Sequence, residues 1–170
     1  LARCWAWAAS RATPWCAAPA WSGAAPWFEL ERAAARYFGV HTFAAHVNGL
    51  VRTDAGTAMW LARRSPTKAI DAGMLDNLVG GGIAAGATID STVVKEAWEE
   101  AGIPAAVAAG ARRVATLAIR REQPDGLQWE TIFAHDLWLP EAFVPANQDG
   151  EAVAHRRVPL AEAARLIALE

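Results

Sequence analysis

Apolar and polar residues alternate with two different periods along this chain, and these periods predict strands and helices. The stretches HTFAAHVNGLVR and GTAMWLARR are rich in strand-forming residues, and the turn-forming residues TDAG separate them, so this region predicts a β-hairpin. The stretches RRVATLAIRRE and LQWETIFAHDLWLP predict two further strands, and Pro140 ends the second of them. The segment MLDNLVGGG predicts a short strand that enters a glycine loop.

Three other segments follow the helical period. The stretch FELERAAARYFGV places four apolar residues near one face and predicts a short helix that stops at Gly39: Leu30, Ala33, Ala34 and Phe38. Residues 90–101 predict a second helix, which Gly102 would end, and VPLAEAARLIAL predicts an amphipathic third helix. Strands interspersed with a few helices indicate a mixed α/β domain.

Residues 1–27 differ in composition from the rest of the chain. They contain five of the nine tryptophans, both cysteines and no acidic residue. Three interpretations stay open: an extension, an apolar tail that binds a partner, and a stretch whose reading frame or start is misassigned. We therefore expect one domain over residues 28–170, with residues 1–27 outside its core.

Charge and composition exclude several classes of function. The formal net charge is −2 and the 14 arginines are scattered, so no basic stripe supports binding to nucleic acid or to an anionic membrane. No apolar run approaches the roughly 18–20 residues that span a bilayer, and we expect a cytoplasmic protein. Cys4 and Cys16 are too few for a disulfide framework and lack the spacing of a zinc site.

Three glutamates, Glu96, Glu99 and Glu100, lie near the end of the 90–101 helix. The partial negative charge of the last carbonyls disfavours each carboxylate there by roughly 0.3–1 kcal/mol. Helical spacing places them opposite a packing face formed by Val93, Val94, Ala97 and Ala101. A solvated acidic face is one interpretation of this pattern.

The preceding glycines favour a second interpretation. Gly80, Gly81 and Gly82 carry no side chains, so their backbone N–H groups can approach a ligand closely. Carboxylates on one helix face suit Mg²⁺ or Mn²⁺, which prefer oxygen ligands and phosphates. Together the glycines and glutamates suggest metal-assisted chemistry on a phosphate compound.

This spacing resembles the signature of the Nudix family. The Nudix box runs Gly, five residues, Glu, seven residues, then Arg-Glu-(apolar)-x-Glu-Glu-x-Gly-(apolar). Seven positions match in register: Gly81, Glu96, Ala97, Glu99, Glu100, Gly102 and Ile103. Two positions depart from it, because Ala87 stands in place of the first glutamate and Lys95 in place of the arginine. Lysine keeps the charge and loses the planar bidentate fork.

Further stretches are similar to one branch of this family, the Nudix portion fused to thiamine pyrophosphokinase in some proteins. They are MWLARRSPTK, GMLDNLVGGGIAAG, VVKEAWEEAGIP and LWLPEAFVPANQDGEA. The resemblance covers about residues 28–168, and both departures are traits of that branch. It implies an α/β/α sandwich with a mixed sheet that hydrolyses a thiamine-type or nucleoside diphosphate to a monophosphate with Mg²⁺ or Mn²⁺.

The resemblance also implies roles for single residues. Glu96, Glu99 and Glu100 would be metal ligands, with Glu96 also catalytic, and Lys95 would orient the carboxylates unless it is a surface lysine paired with Glu99. Glu151, in NQDGEA, would be a further ligand or the general base, or else an exposed turn residue.

Outside the box the expectations rest on residue type and position. Arg63 and Arg64 follow a predicted strand, so one of them should point inward toward the substrate phosphates, beside Gly81 and Gly82. Trp129 is either a stacking surface for a substrate ring or a core residue. Three histidines without ligand spacing are expected to be structural or surface residues: His46, His135 and His155.

Two alternative functions stay open. An isomerase of isopentenyl-type diphosphates shares the fold but, as that family is known, needs a catalytic cysteine, and both cysteines here precede the domain. A Nudix-like binding or regulatory module without catalysis is the second alternative, which Ala87 favours and the intact glutamates oppose. The expected partner is a small diphosphate, and a homodimer is left open.

Overall fold

The structure is a computed structural model that describes residues 15–18, 28–68 and 71–169. Nine strands and four helices are described there. The strands are β1 Trp15–Ala18, β2 Phe28–Glu31, β3 Thr42–Thr53, β4 Gly56–Arg64, β5 Leu75–Asp76, β6 Val79–Gly82, β7 Arg112–Gln123, β8 Gly126–Leu139 and β9 Ala152–Pro159. The helices are α1 Arg32–Phe38, α2 Ile89–Ala101, α3 Ala105–Ala108 and α4 Leu160–Leu169.

Seven of the strands form one mixed sheet. Its path runs β5-β4-β3-β8-β7, while β6 pairs with β3 and β9 pairs with β4. The pairing of β3 with β8 is parallel and the other pairings in this sheet are antiparallel. The predicted hairpin is confirmed as β3 and β4. Strands β1 and β2 pair with each other in a separate two-stranded sheet.

Helices cover both faces of the mixed sheet because successive strand residues point to opposite sides. Within β4, Trp60 belongs to a cluster that packs under α2, while its neighbours Met59 and Leu61 belong to a cluster that packs under α4. The α2 side holds the largest fully buried side chains: Val47, Val51, Leu78, Val79 and Ile103. The predicted α/β/α arrangement is therefore confirmed.

Two expectations about elements need correction, and one strand is missing from them. The predicted first helix begins only at Arg32, because residues Phe28–Glu31 form β2, and its Phe38 is exposed rather than packed. The expected glycine loop is wrong, because Val79–Gly82 pair with β3 as strand β6. Strand β9 was not predicted at all. Its stretch AVAHRRVP is mostly exposed and lacks the apolar alternation of a half-buried strand.

None of the helices within the described ranges combines the length and the apolar character that crossing a membrane requires.

Candidate functional site

Helix α2 has local signals at both ends that fix the position of its glutamates. Thr88 caps the N-terminus, where its hydroxyl accepts from the backbone N–H of Ser91 and the Ser91 hydroxyl accepts in return from the N–H of Thr88. Gly102 ends the helix in the left-handed conformation at φ 64°. The predicted helix is thus confirmed, and Glu96, Glu99 and Glu100 lie in its last two turns.

The glutamate side of α2 faces the sheet, which corrects the expectation of a carboxylate face away from the packed one. Glu100 is only 9% exposed, and its Oε2 accepts a hydrogen bond of 2.6 Å from the backbone N–H of Gly80. Trp98, between the glutamates, is the exposed residue instead. The helix therefore packs both its apolar residues and a carboxylate against β3 and β6.

Burial changes the proton affinity of two of these carboxyls. It raises the pKa of Glu100 to about 8, against the bond from Gly80, with further increases from the charges of Glu96, Glu151 and Asp76. Burial also raises the pKa of Glu96, while Lys95 lowers it in part. Carboxylates buried this close to one another favour a neutralising partner, which is either a proton or a cation.

The glycines of β6 allow other groups to approach its backbone. A Cβ at Gly81 would lie 2.2 Å from Cγ of Glu96, and one at Gly82 would lie 2.2 Å from Cζ of Arg32. Both distances are far shorter than a van der Waals contact. Glycine is therefore required here for close packing of α2 and Arg32 on the strand.

Lys95 bridges two of the glutamates. Its Nζ donates to Glu96 Oε1 at 3.1 Å and to Glu99 Oε2 at 2.6 Å. Burial acts to lower the pKa of Lys95, but its bonds to Glu99 and Glu96 together outweigh that effect, so the pKa lies above its usual value. Lys95 thus makes both the expected pairing with Glu99 and a bond to Glu96.

Glu151 lies on the loop before β9 and reaches the same cluster. Its charge contributes to the raised pKa values of Glu96 and Glu100. Its carboxylate accepts a hydrogen bond from Lys68, and its carbonyl accepts one of 2.9 Å from the N–H of Ser65. Two loops that are distant in sequence therefore hold Glu151 beside α2.

An open cleft of about 620 Å³ lies against β6. The charged side chains that line it are Arg32, Arg36, Arg64, Arg121, Asp71, Asp76, Asp125 and Glu130. Gly81, Gly82 and Trp129 line it as well. Of the two arginines at the end of β4, Arg64 faces this cleft and bonds Asp76 at 2.7 Å, whereas Arg63 is exposed and bonds the carbonyl of Gly73.

Arg32 is a residue of the cleft that the sequence did not reveal. Its guanidinium donates to Glu130 Oε1 at 2.8 Å and to the carbonyl of Phe43 at 3.2 Å, and it lies over Gly82. Its partner Glu130 is 98 residues away in sequence. No local pattern in the sequence indicates that these two residues pair. The sequence shows only that a basic residue, Arg32, begins a short helix.

The expectations for the aromatic and histidine residues have mixed outcomes. Trp129 is 41% exposed, so the core alternative is wrong, and its ring stacks on His41 at 4.5 Å. His135 is buried and its Nδ1 bonds the carbonyl of His46 at 3.2 Å, as expected of a structural residue. His155 faces the backbone of Glu100, and burial lowers its pKa; its Nε2 is buried without a partner among the described residues.

The acidic cluster has the donor chemistry of a hard divalent cation, since it offers carboxylate oxygens with raised proton affinity. Over the described parts of the chain, no three His, Cys, Asp or Glu side chains converge on one point as metal ligands. Glu99 turns toward Lys95 and Glu151 toward Lys68. Cation binding at this cluster therefore requires carboxylate side chains to rotate toward one another, with Glu151 leaving Lys68.

Comparison with known proteins identifies the family. The NUDIX domain family matches residues 42–170. Nudix hydrolase 20, chloroplastic, from Arabidopsis thaliana is 41% identical over 140 residues, which cover 82% of this chain and 37% of that protein. Nudix hydrolase 24, chloroplastic, from the same plant is 40% identical over 140 residues, which cover 82% of this chain and 38% of that protein. The chain thus spans less than half the length of these curated relatives.

Solved structures support the fold at lower identity. The NUDIX domain of Shewanella oneidensis NrtR, solved with ADP ribose, is 14% identical with a TM-score of 0.59, over 74% of this chain and 77% of that one. A C. elegans Ap4A hydrolase complex is 12% identical with a TM-score of 0.57, over 75% and 86%. Because the NUDIX domain family matches most of its length and the two plant relatives are about 40% identical to it, the chain belongs to the Nudix family.

Proposed function

We propose that this domain is a metal-dependent hydrolase that cleaves a diphosphate linkage and releases a monophosphate. The observation that carries the proposal is the position of Glu96 and Glu100, which pack against β6, the strand whose glycines also line a cleft with several arginines. Carboxyls that attract a cation and an arginine that attracts phosphate thus pack against the same strand.

The groups that would hold Mg²⁺ or Mn²⁺ are Glu96, Glu99 and Glu100. A divalent ion there would neutralise phosphate charge and lower the pKa of a water toward neutrality. Ala87 offers no carboxylate at the box position where the family pattern has one. The site therefore relies on the glutamates of α2 together with Glu151, whose charge already acts on Glu96 and Glu100.

The remaining residues have separate tasks in this proposal. Lys95 orients Glu96 and Glu99 through its two hydrogen bonds. Glu151 accepts the proton of the attacking water or serves as a further ligand, once it leaves Lys68. Arg64 contacts a phosphate from the cleft wall, with Asp76 fixing its guanidinium, while Gly81 and Gly82 let Glu96 and Arg32 pack on β6 beside the cleft.

For the substrate we favour a thiamine-diphosphate-like compound, with a nucleoside diphosphate compound next. The support is the similarity of the stretches around the box to the branch fused to thiamine pyrophosphokinase. Trp129 supplies an exposed ring at the cleft, although His41 already covers one of its faces. The ADP ribose in the NrtR structure belongs to a protein only 14% identical to this chain and does not decide the substrate.

The two rival functions make different demands. Isomerisation of an isopentenyl-type diphosphate would need a cysteine, and the domain over residues 28–170 contains none. A binding module without catalysis would not need two carboxyls, Glu96 and Glu100, in a position where burial disfavours their charged forms. The packing of both carboxyls against the strand whose glycines line the cleft favours hydrolysis over either rival.

The test is a panel of diphosphates incubated with the protein in Mg²⁺, then in Mn²⁺, with products identified by phosphorus NMR. The panel contains thiamine diphosphate, ADP-ribose, a nucleoside triphosphate and isopentenyl diphosphate. We expect a monophosphate from thiamine diphosphate. Turnover of ADP-ribose or the triphosphate alone would contradict the thiamine-type substrate but still support diphosphate hydrolysis. Tight binding of one compound without cleavage of any would favour the binding module.

Compartment and assembly stay predictions. Cytoplasmic location is the expectation from sequence, and the names of both plant relatives place those proteins in the chloroplast. Fusion of a fluorescent protein to the full-length protein in its source cells distinguishes the two compartments. Light scattering on the purified chain tests the homodimer.

A further inference from the structure

A chain of polar side chains crosses the sheet face that lines the cleft. His46 Nδ1 bonds Asn77 Oδ1 at 3.0 Å, Asn77 Nδ2 bonds Asn48 Oδ1 at 2.5 Å, and Asn48 Nδ2 bonds Asp136 Oδ1 at 2.9 Å. His46 and Asn48 are alternate residues of β3, and Asp136 is the register partner of Asn48 on β8. The four side chains therefore lie in line on one side of the sheet.

The carboxylate at one end determines the direction of every hydrogen bond. Asp136 can only accept, so the amide nitrogen of Asn48 must face it and the Asn48 oxygen must face Asn77. Asn77 then gives its amide nitrogen to Asn48, which leaves its oxygen facing His46. In the neutral ring, His46 must therefore carry its proton on Nδ1 and an acceptor lone pair on Nε2.

The acceptor edge of this ring lies beside the box strand. Cε1 and Nε2 of His46 would each be 3.3 Å from a Cβ at Gly80, so the ring rests over that glycine. His46 also lines the cleft, where Arg32 and Arg64 present donors. Within the described residues Nε2 makes no hydrogen bond. The cleft thus combines donors that suit phosphate with one acceptor that does not.

We propose that His46, held in the Nδ1–H tautomer by the network of Asp136, Asn48 and Asn77, selects diphosphates whose organic part carries an N–H or O–H donor for Nε2. This inference rests on the proposed function, and it narrows the substrate class. An alkyl diphosphate without such a donor leaves Nε2 unpaired in the closed complex, and an unpaired polar group costs binding free energy. Asp136 and the two asparagines are positioning residues that act through His46.

The tautomer is tested directly by NMR of protein labelled with ¹⁵N in histidine. At a pH high enough that the ring signals no longer change with pH, we expect His46 to show a protonated Nδ1 and an unprotonated Nε2. Asp136→Asn removes the fixed acceptor at the end of the network and should produce a mixture of tautomers. Asp54→Asn, an exposed change in the β3–β4 turn, is the control and should leave the His46 signals in place. A predominant Nε2–H form in the unchanged protein overturns the proposal.

Selectivity is tested by calorimetric binding of thiamine diphosphate, which has an amino group, and isopentenyl diphosphate, which has no N–H or O–H on its organic part. His46→Asn keeps an amide near Nδ1 and deletes the atom at Nε2, whereas His46→Gln places an amide near Nε2. We expect His46→Asn to weaken thiamine diphosphate about tenfold and isopentenyl diphosphate less than twofold, with partial rescue by His46→Gln.

Equal weakening of both ligands by His46→Asn, or no weakening of either, overturns the selective role. These binding experiments need no turnover. A protein that binds both ligands with the expected difference and cleaves neither would refute the proposed hydrolysis and keep the inference about His46.

Discussion

The side chain of Glu96 lies directly on the backbone of Gly81, so that a Cβ at Gly81 would fall 2.2 Å from Glu96 Cγ and 2.8 Å from its Oε1. The same strand donates the N–H of Gly80 to Glu100. These two contacts hold the carboxyl side of α2 against β6. Because the position of both carboxyls depends on this spacing, the glycines belong to the site even though they carry no chemistry.

Gly81→Ala should therefore lower kcat/KM by displacing Glu96, in addition to lowering the stability of the fold. The new methyl group must push Glu96 aside, and overpacking of this kind costs typically about 1–3 kcal/mol of folding free energy. Gly82→Ala is the matched variant, because its methyl meets the guanidinium of Arg32 rather than a glutamate of the box. Steady-state kinetics with melting curves should show at least a tenfold larger loss of kcat/KM for Gly81→Ala. Equal losses in the two variants would contradict the role of this contact.

The raised pKa of Glu100 predicts a pH dependence of stability without metal. Between its ordinary value of 4.5 and about 8, the folded protein keeps a proton on Glu100 that the unfolded chain has released. The free energy of unfolding therefore falls as the pH rises through this window, by at most about 1.4 kcal/mol per pH unit.

Glu100→Gln removes this contribution and still offers an oxygen to the N–H of Gly80. In EDTA, the wild type should lose more stability than the variant as the pH is raised from 5 to 8. The free energy of unfolding of the variant minus that of the wild type should therefore rise by on the order of 1–3 kcal/mol. Chemical denaturation at both pH values measures the difference. Parallel pH dependence of the two proteins would show that Glu100 ionises in the fold as it does in water.

Arg63 and Arg64 form a matched pair for testing the cleft. Arg64 faces the cleft beside Asp76, whereas Arg63 is exposed and bonds the carbonyl of Gly73. Arg64→Ala should raise KM for the diphosphate about tenfold, or ~1.4 kcal/mol of binding, because a charged contact to phosphate is lost. Arg63→Ala should change KM less than twofold. The reverse order of effects would place the phosphate on the other side of β4.

The segment before Phe28 should be dispensable for chemistry. Among the described residues, the strand partner of Trp15–Ala18 is β2, and the glutamates, arginines and glycines of the candidate site all follow residue 28. A truncated protein that begins at Phe28 should keep more than a tenth of the turnover. A soluble truncated protein that loses more than about 90% of it, a ~1.4 kcal/mol effect, would show that this segment supports the site.

The sequence predicted those features whose signals are local. Gly102 and the helical period defined α2, and the turn TDAG defined the β3–β4 hairpin. The triple glycine was misinterpreted as a loop because glycine commonly marks turns, while here it permits side chains to lie on a strand. Strand β9 was missed because it pairs with β4 without a buried alternation of its own.

The arrangement around the glutamates depends on contacts between distant parts of the chain. Helical spacing placed Glu96 and Glu100 on one face, but only the packing of α2 on β6 reveals that this face is buried. The pairs Arg32–Glu130 and Lys68–Glu151 join residues 98 and 83 positions apart. No periodicity or spacing within a short segment carries that information.

The most direct test of the central claim is the Mg²⁺ dependence of diphosphate hydrolysis by wild type and Glu100→Gln, measured side by side with the best substrate of the panel. We predict that the wild type is inactive in EDTA and active in Mg²⁺. We predict that the variant, folded and at least as stable without metal, is slower by about a hundredfold or more, since a lost ligand removes part of the several kcal/mol of transition-state stabilisation that the metal supplies. Full Mg²⁺-dependent activity of Glu100→Gln would contradict the assignment of the α2 glutamates as the metal site.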